Sequence, residues 1–474
     1  MNSSYSDYQG WLLVAGSFIL PLGQLVAQTS EAAYFQQQVD HVIEVALDDQ
    51  SHQARGHIAT TYTNNSPDTL DALWIHLWPN AYANGKTALA KQEFRNGNMF
   101  MFYAMQRQLG GIDSLDFRVD GSPVRWEFHP EHIDIARLVL PEPLPPGAKL
   151  TYETPFRVRI PLGRISRLGH IGESYQMTQW YPKPAVYDRD GWHEMPYLTQ
   201  GEFYSEYGSF DVSITLPKNY VVGATGDMSP EEADNAREMQ FLDSLALATS
   251  RQMDMAFFES EEARSDSFPP SSLETKTLRF KQTQVHDFAW FADKRWMVLK
   301  GSVALPNSAR EVTTWAMFTS DQAKLWGESL EYLADATYWY SKWNGDYPYN
   351  HVTAVDGTIS AGGGMEYPNI TVIGRAGSDL GLEQVIVHEV GHNWFYGILG
   401  SNERTNAWMD EGINSFNESR YFVEKYGDEL GLVGFRATPL MEKLEVTRFS
   451  YQSKDQLAYL LSARMLVDQP MQCH

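Results

Sequence analysis

The chain has 474 residues, room for two domains, and its 43% apolar and 20% charged residues are those of a globular protein rather than a disordered one. A formal net charge of -23 repels duplexes and anionic bilayers, so nucleic acid is excluded as an expected partner. The single cysteine, Cys473, excludes an intramolecular disulfide and a cysteine-based zinc cluster.

Near the start, Trp11 to Ala27 (WLLVAGSFILPLGQLVA) is an apolar stretch interrupted by Pro21 and Gln24. It is too short and too broken for a comfortable transmembrane helix, so no stable membrane span is expected. It ends on Leu25-Val26-Ala27 before Gln28, which suits the small-residue rule of signal peptidase. The first ten residues contain Asp7 and no Lys or Arg. The expectation is an export signal over 1–27 and a periplasmic or extracellular protein, with an uncleaved anchor as the alternative.

From Tyr34 into the 230s the pattern is strand-like. Phe210, Val212, Ile214 and Leu216 alternate with Asp211, Ser213 and Thr215, a period of two that predicts a half-buried strand ended by Pro217-Lys218-Asn219. His57 to Thr63, Leu73 to Leu77, Ala136 to Leu140 and Leu150 to Ile160 read alike. Glu259 to Thr275 reads as an exposed polar loop, and strand-like sequence resumes over Thr277 to Ala304.

After Val312 the character changes. Ser320 is a candidate N-cap, and Trp326, Leu330, Leu333, Thr337 and Tyr340 recur at steps of three and four up to Gly345, which predicts an amphipathic helix. A short strand follows (His351 to Val355), then a glycine-rich segment. Its small residues allow a peptide backbone to approach closely, as an edge strand pairing with a substrate main chain would require. A β-rich part followed by an α-rich part predicts two domains with a cleft between them.

Leu382 to Tyr396 (LEQVIVHEVGHNWFY) has helical spacing, with Ser378 and Asp379 as its start. On a helix, His388 and His392 share one face and both imidazoles can reach one metal ion. Glu389 projects towards the same cleft, where it can take a proton from water at the metal. Eighteen residues separate His392 from Glu411, which is expected on a second helix capped by Thr405 or Asn406 and in its first turns. Its neighbour Asp410 reads as solvated. Two imidazoles and one carboxylate leave a fourth zinc position open, which catalysis needs and a structural site does not.

His388-Glu389-x-x-His392 followed at this spacing by Glu411 resembles the gluzincin zinc peptidases of the aminopeptidase N family. Gly362-Gly363-Gly364-Met365-Glu366-Tyr367-Pro368 resembles that family's Gly-x-Met-Glu-Asn exopeptidase segment, and Thr178 to Trp192 also matches. The resemblance implies an α+β chain in which a saddle-like β domain (34–312) precedes a thermolysin-like catalytic domain (313–474). It implies one Zn2+ per chain, peptide substrates and hydrolysis of the N-terminal peptide bond. Glu366 would bind the substrate's α-ammonium, with Gly363, Gly364, Met365 and Gln179 against the substrate. Two positions depart from the family pattern. Tyr367 stands where the family has Asn, and Tyr181 stands where many members have a second amine-binding acid.

The family also uses a tyrosine to stabilise the oxyanion. Here Tyr421 and Tyr426 read as helix-surface or core positions, and Tyr451 and Tyr459 stand too near Glu411. That tyrosine is therefore expected beyond residue 474, with the catalytic domain incomplete at its C-terminal end. The rival reading is a catalytically silent binding or scaffold protein of the same fold. Side-chain preference and oligomeric state cannot be read from the sequence.

Overall fold

A computed structural model describes residues 34–254, 267–357 and 363–427, together with Arg464. The expected export signal, Gly362, Tyr451, Tyr459 and the chain end lie outside these residues.

The first part is built on long strands: β1 (Gln38–Asp48), β2 (Gln53–Thr63), β3 (Leu70–His76), β4 (Ile135–Leu144), β5 (Lys149–Arg159), β6 (Gly208–Pro217) and β7 (Thr275–Val285). Five of them run side by side in one sheet in the order β7-β6-β1-β2-β5, with β6 and β1 parallel and the other neighbours antiparallel. β3 and β4 pair in a separate sheet. The alternation expected in β6 is present: Phe210, Val212, Ile214 and Leu216 are buried and the residues between them half-exposed. The other predicted strands are also found, several of them longer than the apolar pattern alone suggested.

Three helices among the described residues of this part were not expected, the shortest being the single turn Phe100–Tyr103. The short α1 (Ala88–Arg95) is capped by Thr87, whose hydroxyl accepts from Ala90 N at 3.2 Å. The longer α2 (Ala233–Asp254) inserts between β6 and β7. Its buried residues Asn235, Glu238, Leu242, Ala246 and Thr249 are spaced by three and four. Two of these five are strongly polar, and Glu238 is buried only because Lys276 of β7 pairs with it at 2.6 Å. An apolar-only pattern therefore misses this helix face.

The second part carries a five-stranded sheet of β8 (Met297–Ala304), β9 (Glu311–Phe318), β10 (His351–Asp356), β11 (Gly364–Tyr367) and β12 (Ile370–Ile373). Their order is β8-β9-β10-β12-β11, so β11 is an edge strand among the described residues. Against it pack α3 (Ser329–Asn344) and α4 (Asp379–Phe395), followed by α5 (Glu403–Ala407), a π-helical turn over Trp408–Gly412, and α6 (Ile413–Tyr426). Ser378 caps α4 as expected, its hydroxyl accepting from Gly381 N. α3 starts later than expected: Ser320 is not its cap, and tight turns run from Thr319 to the 3-10 turn Trp326–Glu328. Thr319 is held by Asp356, to which both its N–H and its hydroxyl donate, and this draws the segment out of helical register.

The β-rich part is tied to the helices by directed contacts. Tyr207 donates to the carbonyls of Tyr396 and Gly397, both at 3.0 Å, and Arg404 donates to the carbonyls of Glu202 (3.1 Å) and Pro196 (3.2 Å). The fold is mixed α+β, and no helix among the described residues is long and apolar enough to cross a membrane.

Candidate metal centre

α4 presents His388 and His392 one turn apart, with their Nε2 atoms 3.1 Å from each other. Glu411 Oε2 lies 3.2 Å from His388 Nε2 and 4.0 Å from His392 Nε2. Two imidazole nitrogens and one carboxylate oxygen thus converge on a point. The other nitrogen of each ring is already engaged: His388 Nδ1 donates to Glu418 Oε2 at 3.0 Å, and His392 Nδ1 donates to Asp410 Oδ1. A carboxylate on Nδ1 fixes the ring's orientation and leaves Nε2 as the ligating atom. Gln384 in turn donates to Glu418 at 2.8 Å, and Asn414 donates to the His388 carbonyl at 2.7 Å.

Glu411 is not in the first turns of a helix capped by Thr405 or Asn406, as expected. The N-cap position is Asn402, Asn406 has non-helical backbone angles, and Glu411 sits in the π-helical turn. A π turn shifts the side chains that follow it relative to an α-helix, and such turns gather at functional sites. Here it directs both Asp410 and Glu411 inward. Asp410 is therefore not solvated but fully buried against His392.

The charges are unusual. Burial lowers the affinity of the His388 ring for a proton, but Glu411 and Glu418 outweigh this and raise its pKa to about 10. His392 is likewise raised well above the ordinary value, with Asp410 overcoming burial. Burial raises the Glu411 carboxyl, yet the hydrogen bond from His388 and the charge of His392 bring it down to about 2. A cluster that pulls positive charge onto two imidazoles this strongly also favours a divalent cation in place of those protons. The donor set of two nitrogens and one oxygen fits zinc.

Glu389 is only 5% exposed, and its Oε2 is buried without a hydrogen-bond partner. Burial pushes its carboxyl up to about 7 against the pull of His388 and His392. β11 runs directly over it. A β carbon at Gly364 would stand 2.4 Å from Glu389 Oε1, so any side chain there would push the Glu389 carboxyl aside. Gly363 is exposed, and its carbonyl accepts from Gly374 N at 2.8 Å.

Glu366 is also on β11, and its ligand oxygen lies within 4.8 Å of those of His392 and Asp410. Burial raises its carboxyl well above the usual range; His392 opposes this, while Asp410, Glu389 and Glu202 add to it. Met365 is buried, and Arg167 Nε donates to its sulfur at 3.0 Å. Gln179 lies beside the same strand at a positive φ of 47°, its Oε1 accepting from Tyr367 OH at 3.2 Å and its Nε2 buried without a partner. Tyr181 faces the core, donating to Asp287 at 2.7 Å. Tyr421 and Tyr426 both donate to Glu383.

Several residues around the metal ligands escaped sequence reasoning. Glu418 had a usable signal, since seven residues after Glu411 is two helical turns on the same face. Asp410 had none beyond adjacency. Arg167 and Glu202 come from the β-rich part, where Arg167 NH2 lies 2.6 and 2.8 Å from the Glu202 oxygens. Only the tertiary fold brings this pair beside Met365.

No protein-family model and no curated protein sequence matches the chain. Solved structures do. A glutamate-to-alanine mutant of an M1 zinc metallopeptidase from Deinococcus radiodurans aligns with a TM-score of 0.53 and 15% identity, covering 93% of this chain and 77% of that one. A two-domain M1 zinc metallopeptidase mutant bound to L-tryptophan aligns with a TM-score of 0.51 and 14% identity, covering 83% and 72%. At such identities the likeness establishes the fold, which is that of two-domain M1 zinc metallopeptidases.

Proposed function

We propose that the protein is a zinc-dependent aminopeptidase. The observation that carries this reading is the convergence of His388 Nε2, His392 Nε2 and Glu411 Oε2 beside the unpartnered, buried Oε2 of Glu389. Likeness of fold to zinc metallopeptidases, one of them bound to a single amino acid, points the same way. In this reading the cleft lies between a β domain over 34–312 and a catalytic domain over 313–474.

His388, His392 and Glu411 would hold the ion, which when bound supplies Lewis-acid polarisation of a carbonyl and acidifies water. Glu389 takes the proton of an attacking water on Oε2. Burial makes this carboxylate more basic than an exposed one, which suits it to accept that proton and hand it to the leaving amine. β11 offers an edge for the substrate main chain, and its glycines keep the approach to Glu389 clear. Glu366 receives the α-ammonium.

Elemental analysis together with a panel of aminoacyl fluorogenic substrates tests the reading. The expected result is one zinc per chain, lost in His388→Ala and Glu411→Ala. In Glu389→Gln the zinc should stay while turnover falls by several orders of magnitude. Full zinc in a His388→Ala/Glu411→Ala double variant would sink the site assignment.

A further inference from the structure

Glu403 is almost completely buried, at 1% exposure, in the first turn of α5, yet no ion pair among the described residues involves it. One oxygen, Oε2, accepts from Phe203 N at 3.0 Å. The other, Oε1, is buried without a hydrogen-bond partner, and the Asp410 side chain lies within hydrogen-bond reach of the Glu403 carboxyl. Asp410 is fully buried too. Its Oδ1 is used by His392 Nδ1, which leaves Oδ2 equally without another donor. Two buried carboxyl groups thus confront each other with one free oxygen apiece and no solvent. Left as two carboxylates they would repel, and each would lack a hydrogen bond. One proton between them removes both costs. Phe203 N already donates to Oε2, and the carbonyl oxygen of an acid is the better acceptor, which favours the proton on Oε1.

We infer that Glu403 is a positioning residue for the metal centre: its carboxylic acid donates to Asp410, which in turn orients His392. The surroundings agree. Burial raises the Glu403 carboxyl well above the ordinary range, and Asp410, Glu366 and Glu202 raise it further. The chain of contacts runs from Phe203 N in the β-rich part through Glu403 and Asp410 to His392. It therefore carries the position of the Glu202 segment into the geometry of a ligand. Outer carboxylates of this kind keep a histidine in the tautomer and angle that a metal needs, and their loss typically costs about ten- to a hundredfold in metal affinity.

The inference rests on His392 being a metal ligand, so the readout is zinc affinity of the full chain, measured by competition with a chromophoric chelator. Glu403→Gln keeps a donor on one side and an acceptor on the other, and should bind zinc within about threefold of the parent. Glu403→Ala should weaken zinc about ten- to a hundredfold. In an Asp410→Ala background, Glu403→Ala should add nothing further, because its effect passes through Asp410. The visible spectrum of the cobalt-substituted protein should change in Glu403→Ala and stay unchanged in Glu403→Gln. If Glu403→Ala does not fold, Glu403→Asp replaces it, since its shorter acid cannot span Phe203 N and Asp410. Parent-like affinity in Glu403→Ala, a Glu403→Gln as weak as the alanine variant, or additive losses in the double variant would each overturn the inference and leave Glu403 a brace for the 202–203 segment. A parent protein that binds no zinc would instead overturn the metal site itself.

Discussion

Glu366 occupies a place where a negative charge is costly, and His392 only partly offsets that cost. Asp410, Glu389 and Glu202 all disfavour its ionised form, and burial does so more. A substrate ammonium arriving beside it would relieve that repulsion and gain a charge-assisted hydrogen bond. Such a contact is worth about 1.5–3 kcal/mol, or roughly ten- to a hundredfold in rate. Peptides with a free N-terminus are therefore expected to be cleaved faster than their N-acetylated counterparts by that factor. Because Tyr181 is spent on Asp287, no second acid comes from its position, and the preference should fall near the lower end. Glu366→Ala should abolish the preference by slowing only the unblocked peptides. Matched pairs of peptides assayed on both proteins decide it: equal rates before and after the substitution would mean that Glu366 does not bind the amine.

His388, His392 and Glu411 keep their places because three helices cross closely, and the crossing depends on one missing side chain. At Gly391, between the two histidines of α4, a β carbon would stand 2.0 Å from Asn414 Oδ1 of α6 and 2.4 Å from Tyr340 Cε1 of α3. Tyr340 also donates to Asn414 at 2.9 Å, so neither neighbour can move alone. Gly391→Ala must push α3 and α6 away from α4, an overpacking that costs about 1–3 kcal/mol or more. It also displaces the amide that holds the His388 carbonyl. The expected outcome is a lower melting temperature together with weaker zinc retention. Gly377, where a β carbon meets nothing within 4 Å, provides the control substitution. Unchanged melting in Gly391→Ala, measured by circular dichroism, would show that the helices are less tightly set than this crossing implies.

Across the whole molecule, the β-rich part and the helices that carry His388, His392 and Glu411 are joined by hydrogen bonds that cross from one to the other. Glu403 needs Phe203 N, Arg404 needs the carbonyls of Glu202 and Pro196, and Tyr207 caps the end of α4 at Tyr396 and Gly397. Separating the parts would exchange these hydrogen bonds for bonds to water, each at a net cost of about 0.5–1.5 kcal/mol. The two parts are therefore expected to unfold together, giving one calorimetric transition. Two well-separated transitions would refute that coupling.

Periodicity sufficed for β6, whose buried face is apolar, and for α4, where Leu382, Ile386, Val387 and Val390 carry the helical pattern beside the buried Glu383, Glu389, His392 and Asn393. It failed for α2, whose buried face holds Asn235 and Glu238, and for the start of α3, where Asp356 draws Thr319 aside. The residues read as metal ligands, His388, His392 and Glu411, lie close enough in sequence that helix geometry alone suggested their meeting. Their supports were not legible. The inward turn of Asp410 depends on a π turn, a backbone choice made by packing rather than by local residue preference. Glu202, Arg167 and Phe203 reach the site from about two hundred residues away. Local sequence encodes which side chains share a helix face, whereas which distant carboxylate is buried against which histidine is decided only when the sheets and helices close on one another.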